Sequence, residues 1–433
     1  MKIAIIGAGP MGLACAYELG QKNHQVDIYE QDDRIGGMSA SFDFEGLKIE
    51  RYYHFICRSD QQMFDLLAEL NIADKLRWQD TKMGFFYAGT LYKWGNPINL
   101  LTFPKLGFIA KLRYALHVFY TKSINNWDKL DKQSAIPWLK KWVGEKAYYL
   151  LWDYLFTYKF YEYKENLSAA WIGTRIKRIA ESRKNLFTEQ LGYLAGGSDT
   201  LLNELEKRIL AMQGNIYLQA RVDEVTTINN QVEGLIVNGK KHLYDKIIAT
   251  IPLPILPRLV PDLSSEIQAK INGINNCGVV CVLFKLRQPL SENFWLNIND
   301  PNIEIPGLIE YSNLKPVNNN TSEAIVYVPF YLPKTHPKYS QDDALFLEES
   351  LNCLKQVNPE FTSDWVLAKH VSRYEFAQPV CSANFYQQLP PVQTNIAGFM
   401  MADTSYYYPE DRGISESIKM GKQLAQLVSS ETE

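Results

Sequence analysis

Residues Met1-Lys-Ile-Ala-Ile-Ile-Gly7-Ala-Gly9-Pro10-Met11-Gly12 run a short apolar strand straight into a G-x-G-x-x-G turn. The next apolar segment, Gln25-Val-Asp-Ile-Tyr-Glu30, ends on a carboxylate eighteen residues beyond Gly12. Each glycine has its own task in such a turn: Gly7 permits the tight bend, Gly9 lets backbone approach a pyrophosphate, and Gly12 lets the following helix pack on the strand. The helix N-terminus then aims its free N–H groups and dipole at the phosphates, while Glu30 accepts hydrogen bonds from a ribose. A glycine turn alone is common. Strand, turn, helix, strand and acid in this order and at this spacing predict a dinucleotide-binding βαβ unit.

Directly after Glu30, the chain continues Gln31-Asp-Asp-Arg34-Ile-Gly36-Gly37-Met38, a second glycine pair beside a fixed cation. A nicotinamide site needs no such element. This stretch resembles the flavin-binding signature of the superfamily that contains amine oxidases, protoporphyrinogen oxidases, phytoene desaturases and UDP-galactopyranose mutases. The resemblance implies FAD, held by Gly7, Gly9, Pro10, Met11, Gly12, Glu30, Gln31, Arg34, Gly36, Gly37 and Met38. Met38 stands where many members of the superfamily have a second Arg or Lys.

The bulk composition narrows the remaining classes. At 433 residues, 46% hydrophobic and 21% charged, the chain predicts a globular protein with two or three domains' worth of core. Forty-five basic against forty-eight acidic residues leave no global field that favours nucleic acid as a partner. The aromatic share, 13%, suits either a deep pocket around a flat ligand or a tyrosine-rich surface. Six scattered cysteines contain no C-x-x-C pair, and no histidines stand at metal-ligand spacing, so neither a metal site nor a disulfide framework is expected. A first strand at the N-terminus leaves no room for a signal peptide, and no uncharged apolar run reaches the roughly 18 residues of a spanning helix. These features predict a cytoplasmic protein.

Further along, Phe42 to Ile56 alternates like a hairpin and ends in Arg51-Tyr52-Tyr53-His54-Phe-Ile. From there to about Ser182 the pattern is mostly helical, with Asp60 to Leu70 and Leu139 to Phe156 as apolar-striped helices. Gly196-Gly197-Ser-Asp opens a helix, and strands follow at Asn215 to Gln219, Val222 to Ile228 and Val232 to Val237, before Tyr244-Asp-Lys-Ile-Ile-Ala-Thr250-Ile-Pro252. Residues 253 to 394 read as strands with one helix, Asp342 to Val357. The tail, Gly398-Phe-Met-Met-Ala402-Asp403 and then Asp411-Arg412-Gly413-Ile414-Ser-Glu-Ser417, again ends a strand on an acid and starts a helix after a glycine.

The resemblance extends over the whole chain. It implies that Val222 meets the adenine, that the strand ending at Thr250 passes the flavin, that Asp403 meets the ribityl or pyrophosphate, and that Arg412, Gly413, Ile414 and Ser417 begin a helix pointing at the flavin pyrimidine. Val222 by itself reads equally as a plain buried strand residue, and Ala402 stands where the usual glycine would be. The expected fold is α/β (α+β overall), a Rossmann-like FAD-binding domain interleaved with a substrate domain of helices plus a mixed or antiparallel sheet. Its FAD-binding part is residues 1–60, 190–252 and 395–433. The substrate part takes 61–189 as helices and 253–394 as sheet. Segments such as Arg51 to Asp60, Gln190 to Gly197 and Tyr408 to Gly413 look like a bacterial protoporphyrinogen-oxidase-like group.

A flavin supplies the difficult chemistry, so few catalytic side chains are needed. The resemblance sends the strand bearing Arg51, Tyr52, Tyr53 and His54 along the isoalloxazine, with Arg51 and His54 able to polarise ring or substrate; the plain alternative is a packed core histidine. Tyr406, Tyr407 and Tyr408 offer an aromatic wall, with Tyr408 as a catalytic candidate. Amine oxidases of the superfamily carry a lysine in the first substrate-domain strand, and Cys277 to Phe284 has none, which turns the expectation towards desaturation, porphyrinogen-type oxidation or mutase-like chemistry. The expected function is hydride removal from a C–H bond of a small organic substrate bound between the two domains. The alternatives are a non-redox flavoenzyme acting on a nucleotide sugar and a non-catalytic membrane-associated flavoprotein.

From Thr81 to Trp127 there is no Asp or Glu, while Lys82, Lys93, Lys105, Lys111, Arg113 and Lys122 bring six positive charges. Such a lobe suits an anionic substrate or a peripheral contact with an anionic membrane through residues 100–122, with Ile109, Leu112, Leu116 and Phe119 as one apolar face. The plain alternative packs that stripe against the protein.

Overall fold

The computed structural model of the protein describes residues 1–317 and 322–430. Residues 318–321 of the expected sheet segment and 431–433 of the expected tail segment lie outside them. A five-stranded parallel sheet runs in the order Phe399–Met401, Lys246–Ala249, Lys2–Ile6, Gln25–Tyr29, Asn215–Tyr217. Ile5 sits opposite Ile248 on one side and Ile28 on the other, so three far-separated stretches form one sheet. Both faces are covered, which is why these strands are apolar runs rather than alternating ones. The Pro10–Gln21 and Ile414–Ser430 helices share a core with Leu13, Leu19, Ile418 and Leu424.

A seven-stranded sheet forms the second layer system, in the order Val366–Pro379, Asn276–Leu286, Ala324–Pro333, Gly307–Glu310, Trp295–Ile298, Met83–Tyr87, Thr90–Trp94. Its last two strands come from the stretch expected to be helical. Met83–Tyr87 pairs in parallel with Trp295–Ile298, more than two hundred residues later, and hairpin pairing to Thr90–Trp94 completes the edge.

Between the sheets lies a helical lobe. The expected single helix from Leu139 to Phe156 is three: Ala135–Val143, Glu145–Leu151 and Asp153–Phe160. Gly144, at φ 85°, ends the first in a left-handed conformation that a side-chain-bearing residue disfavours. In the Phe108–Lys122 helix the buried residues are His117 and Thr121. Ile109 is 73% exposed, Phe119 63%, Leu116 52% and Leu112 51%, so the apolar stripe does not pack against the protein.

Candidate active site

The end of the Lys2–Ile6 strand builds a cradle from backbone. Gly7 adopts φ 104°, and a Cβ on Gly12 overlaps the Gly7 carbonyl oxygen and lies 2.8 Å from Thr250 Oγ1. Thr250 Oγ1 in turn donates to the carbonyls of Ile6 (3.0 Å) and Gly7 (3.2 Å), tying the turn to the neighbouring strand. Pro10 occupies the first turn of the helix, where its missing N–H costs nothing, and Met11 is buried below it. The second glycine pair folds back onto this turn. Gly36 N donates to Ala8 O at 2.8 Å with φ 111°, and Gly37, exposed, places its would-be Cβ 3.5 Å from Gly9 Cα.

Glu30 completes the cradle. Its Oε2 accepts from Ala8 N (2.8 Å) and its Oε1 from Asp32 N (2.9 Å), which orients the carboxylate and leaves a lone pair on each oxygen. Arg34 is held by Asp33 (Nε–Oδ1 2.6 Å) and donates to Ser41 O, and Arg51 donates to Asp32 Oδ2 at 2.8 Å. Gln31 is exposed and Met38 half-buried. Val222 is buried at the start of the Val222–Ile228 strand.

Asp403 reaches the same region from the last strand. Its Oδ2 accepts from Leu253 N (2.9 Å) and its Oδ1 from Ser405 N (2.8 Å), and burial pushes its carboxyl above the usual range. Ser417 is used locally, donating to Gly413 O and accepting from Tyr407. The three neighbouring tyrosine hydroxyls are also used in packing: Tyr406 donates to Pro390 O, and Tyr408 bonds both Asp131 Oδ1 and Ser168 Oγ at 2.6 Å. Tyr408 therefore ties the turn after Asp403 to the helical lobe.

A second group of side chains converges where Arg412 precedes the Ile414–Ser430 helix. Arg412 lies 5.8 Å from the Tyr331 ring centroid, Tyr331 OH is 3.4 Å from Tyr53 OH, and Lys159 Nζ sits 4.7 Å from the same Tyr331 ring. His54 Nε2 is 3.4 Å from Ser39 Oγ, just past Gly37, and its Nδ1 is buried without a partner among the described residues. Burial, reinforced by Arg412 and opposed by Glu50, holds the His54 pKa below its ordinary value, so the ring is neutral at pH 7. Tyr52 is buried beside this group. Lys159 and Tyr331 carried no local signal in the sequence, since neither stands in a motif. A separate cleft of about 820 Å³ opens along the Ile414–Ser430 helix, lined by residues including Trp127, Lys177, Arg178, Tyr408 and Lys419.

This chain's residues fit FAD. Gly9 is extended (φ −71°, ψ 173°), and a Cβ there meets nothing within 4 Å, so the protein leaves room above the helix N-terminus for a ligand. Gly9→Ala is accordingly expected to leave the stability of the apoprotein unchanged and to weaken FAD binding by about tenfold or more, ~1.4 kcal/mol. Denaturant midpoints of the apoprotein and a fluorescence titration with FAD read the two effects separately; a destabilised apoprotein with intact affinity would contradict the cradle.

A parallel sheet, a glycine cradle at a helix N-terminus and an oriented acid define a dinucleotide-binding protein of the flavoprotein class. The chain belongs to the family of flavin-containing amine oxidoreductases, whose family model matches residues 12–428, and its cofactor is FAD. It is similar to the 15-cis-phytoene desaturase of Synechococcus elongatus, 25% identical over 291 residues that cover 60% of each protein. The match thus spans about three fifths of that relative's length. An oxidoreductase from Methanosarcina mazei shares the fold with a TM-score of 0.75 at 17% identity, over 99% of this chain and 100% of that one. The cyclohexylamine oxidase of Brevibacterium oxydans IH-35A does so with a TM-score of 0.72 at 14% identity, over 100% and 99%. The strand Asn276–Leu286 carries one lysine, Lys285, paired with Glu323 at 3.4 Å.

Proposed function

We propose that the protein is an FAD-dependent oxidoreductase that removes hydride from a C–H bond of a small organic substrate held among Tyr53, His54, Lys159, Tyr331 and Arg412. The observation that carries this reading is convergence: Ser39, two residues past the Gly37 that lies against Gly9, meets His54, and Arg412, just before the helix that begins at Ile414, meets Tyr331. Bound FAD supplies the two-electron chemistry. The protein's part is to bind and orient. Gly7, Gly9, Gly12 and the helix behind them would hold the pyrophosphate, Glu30 a ribose, and Asp403 with the start of the Ile414–Ser430 helix the flavin side. His54, kept neutral, offers one N–H and one lone pair. The phenol of Tyr53 is held protonated by burial, so it stays uncharged. The test is to identify the small molecules released on denaturing the purified protein, then offer them anaerobically to the FAD-loaded enzyme. Loss of the visible flavin absorbance, with conversion to a product lighter by two hydrogens, is expected. Turnover that needs added reductant and leaves the substrate's oxidation level unchanged would contradict it.

We also infer that the enzyme works at the cytoplasmic face of an anionic membrane. Phe108 and Ile109 are each 73% exposed, and with Ile98, Leu101, Leu112, Leu116 and Phe119 they form an apolar surface on two neighbouring helices. Lys93, Lys105, Lys111, Arg113 and Lys122 flank it, and none is in an ion pair among the described residues; Lys111 and Arg113 donate instead to the carbonyls of Leu101 and Trp142. An apolar face rimmed by unneutralised cations complements acyl chains beneath anionic headgroups. No helix of the described residues is long and apolar enough to cross a membrane. All six cysteines are unpaired, which suits a reducing compartment. In co-sedimentation with phosphatidylglycerol vesicles, the triple variant Ile109→Ser, Leu112→Ser, Phe119→Ser should partition about tenfold less than wild type. Equal partitioning of the variant, or binding to phosphatidylcholine vesicles as strong as to anionic ones, would contradict the surface.

A further inference from the structure

Three cations meet in the interior with one acid against them. Lys159 on the Asp153–Phe160 helix and Arg412 flank the same Tyr331 ring, and Arg175 on the Ala169–Glu181 helix joins through Asp411, its Nη2 2.7 Å from Oδ1. That Asp411 oxygen also accepts from Arg412 N at 2.9 Å and Gln378 Nε2 at 3.4 Å, so Oδ1 is fully used by groups other than Lys159. Arg412 Nη1 donates to the Ala377 carbonyl. The Lys159 ammonium, half-buried, makes no hydrogen bond or ion pair with any described residue and lies over the rings of Tyr331 and Phe160, the latter at 5.7 Å. Arg175 Nε and Gln378 Oε1 are buried without partners as well.

A cation withdrawn from water without an acceptor is costly, and ring faces recover only part of that cost. The arrangement becomes favourable when an anion enters and supplies charge-assisted hydrogen bonds. We propose that Lys159, with Arg412 beside it, anchors an oxyanion of the substrate, a carboxylate or phosphate group, at this end of the active site. The inference rests on the function proposed above and adds a substrate class to it.

The anchor is sensitive to pH. Burial, together with Arg175 and Arg412 and against the pull of Asp411, lowers the Lys159 pKa to about 7. Cys277 also faces it, its thiol pushed up to about 12 by burial and so neutral, and Tyr331 presents only its ring. Lys159 is therefore charged below about pH 7 and loses its proton above, so affinity for an anion falls as pH rises, by at most about tenfold per pH unit.

The test titrates FAD-loaded enzyme with sodium benzoate, phenyl phosphate and neutral benzamide, following the change in flavin absorbance. Lys159→Gln should raise the dissociation constant of the preferred anion by about tenfold or more, while Lys159→Arg keeps it within about threefold. Benzamide should be unaffected by either substitution. The decline in affinity above about pH 7 should vanish in Lys159→Gln. A tighter response to benzoate or to phenyl phosphate separates a carboxylate from a phosphate substrate. Benzamide binding as tightly as the anions, an unchanged anion affinity in Lys159→Gln, or no response to any probe would overturn the proposal. Failure of the flavin assignment would appear differently, as the absence of flavin absorbance before any probe is added.

Discussion

Gly12→Val is expected to yield colourless protein that neither binds FAD nor turns over. A side chain at this position starts from a Cβ that overlaps the Gly7 carbonyl oxygen and crowds Thr250 Oγ1 at 2.8 Å, and both neighbours are fixed. Gly7 is at φ 104° and cannot rotate away without losing its own turn, and Thr250 is held by two hydrogen bonds to that turn. Relief requires the Pro10–Gln21 helix to lift from the strand, which separates Leu13 and Leu19 from their core. Overpacking of this kind costs ~1–3 kcal/mol even where neighbours can shift, and more against backbone. The lifted helix also withdraws its N-terminal N–H groups from the pyrophosphate. Flavin content and the denaturant midpoint should both fall. A yellow Gly12→Val protein of wild-type stability would show that the cradle is not where FAD sits.

Arg178→Met is expected to be the most destabilising single substitution outside that turn, by ~3–5 kcal/mol, because it strands two buried acids. Arg178 Nη2 donates to both Asp60 oxygens at 3.1 Å and its Nη1 lies 3.9 Å from Glu416 Oε2, so one guanidinium ties the helical lobe to the Ile414–Ser430 helix and to the turn at Cys57–Asp60. Burial already raises the Glu416 carboxyl to about 7, with Arg178 pulling it down. A carboxyl raised in the folded state binds protons more tightly there than in the unfolded chain, so its contribution to stability decreases as pH rises from the unfolded value to the folded one. In wild type that decline ends near pH 7. Without Arg178 the folded value moves higher and the decline continues past it. Denaturant midpoints measured on either side of pH 7 should therefore separate wild type and variant more at the higher pH; an equal separation would remove Glu416 from the account.

The nucleotide-binding end was legible because its chemistry is local. A tight turn, a close backbone approach and a helix–strand contact each demand glycine within six residues, and Glu30 follows at the reach of one βαβ unit. The sheet edge was not, because Met83–Tyr87 earns its place by pairing with Trp295–Ile298, a partner no local pattern announces. Helical periodicity picked out Ile109, Leu112, Leu116 and Phe119 as one face, yet periodicity cannot say whether that face meets the protein or the outside. At Gly144 the apolar stripe ran on while the backbone turned left-handed, which split one expected helix. The Tyr408 hydroxyl is taken by Asp131 and Ser168, residues that only the folded chain brings near. Lys159 and Tyr331, from opposite parts of the chain, form the least legible feature of the proposed site for the same reason.

The most direct measurement is the visible spectrum of the purified, folded protein, followed by quantitation of the flavin released on denaturation. One FAD per chain, acquired in expression or on reconstitution, is the predicted result. Folded protein that stays colourless after incubation with excess FAD would contradict the claim that three distant stretches of this chain close around a single flavin.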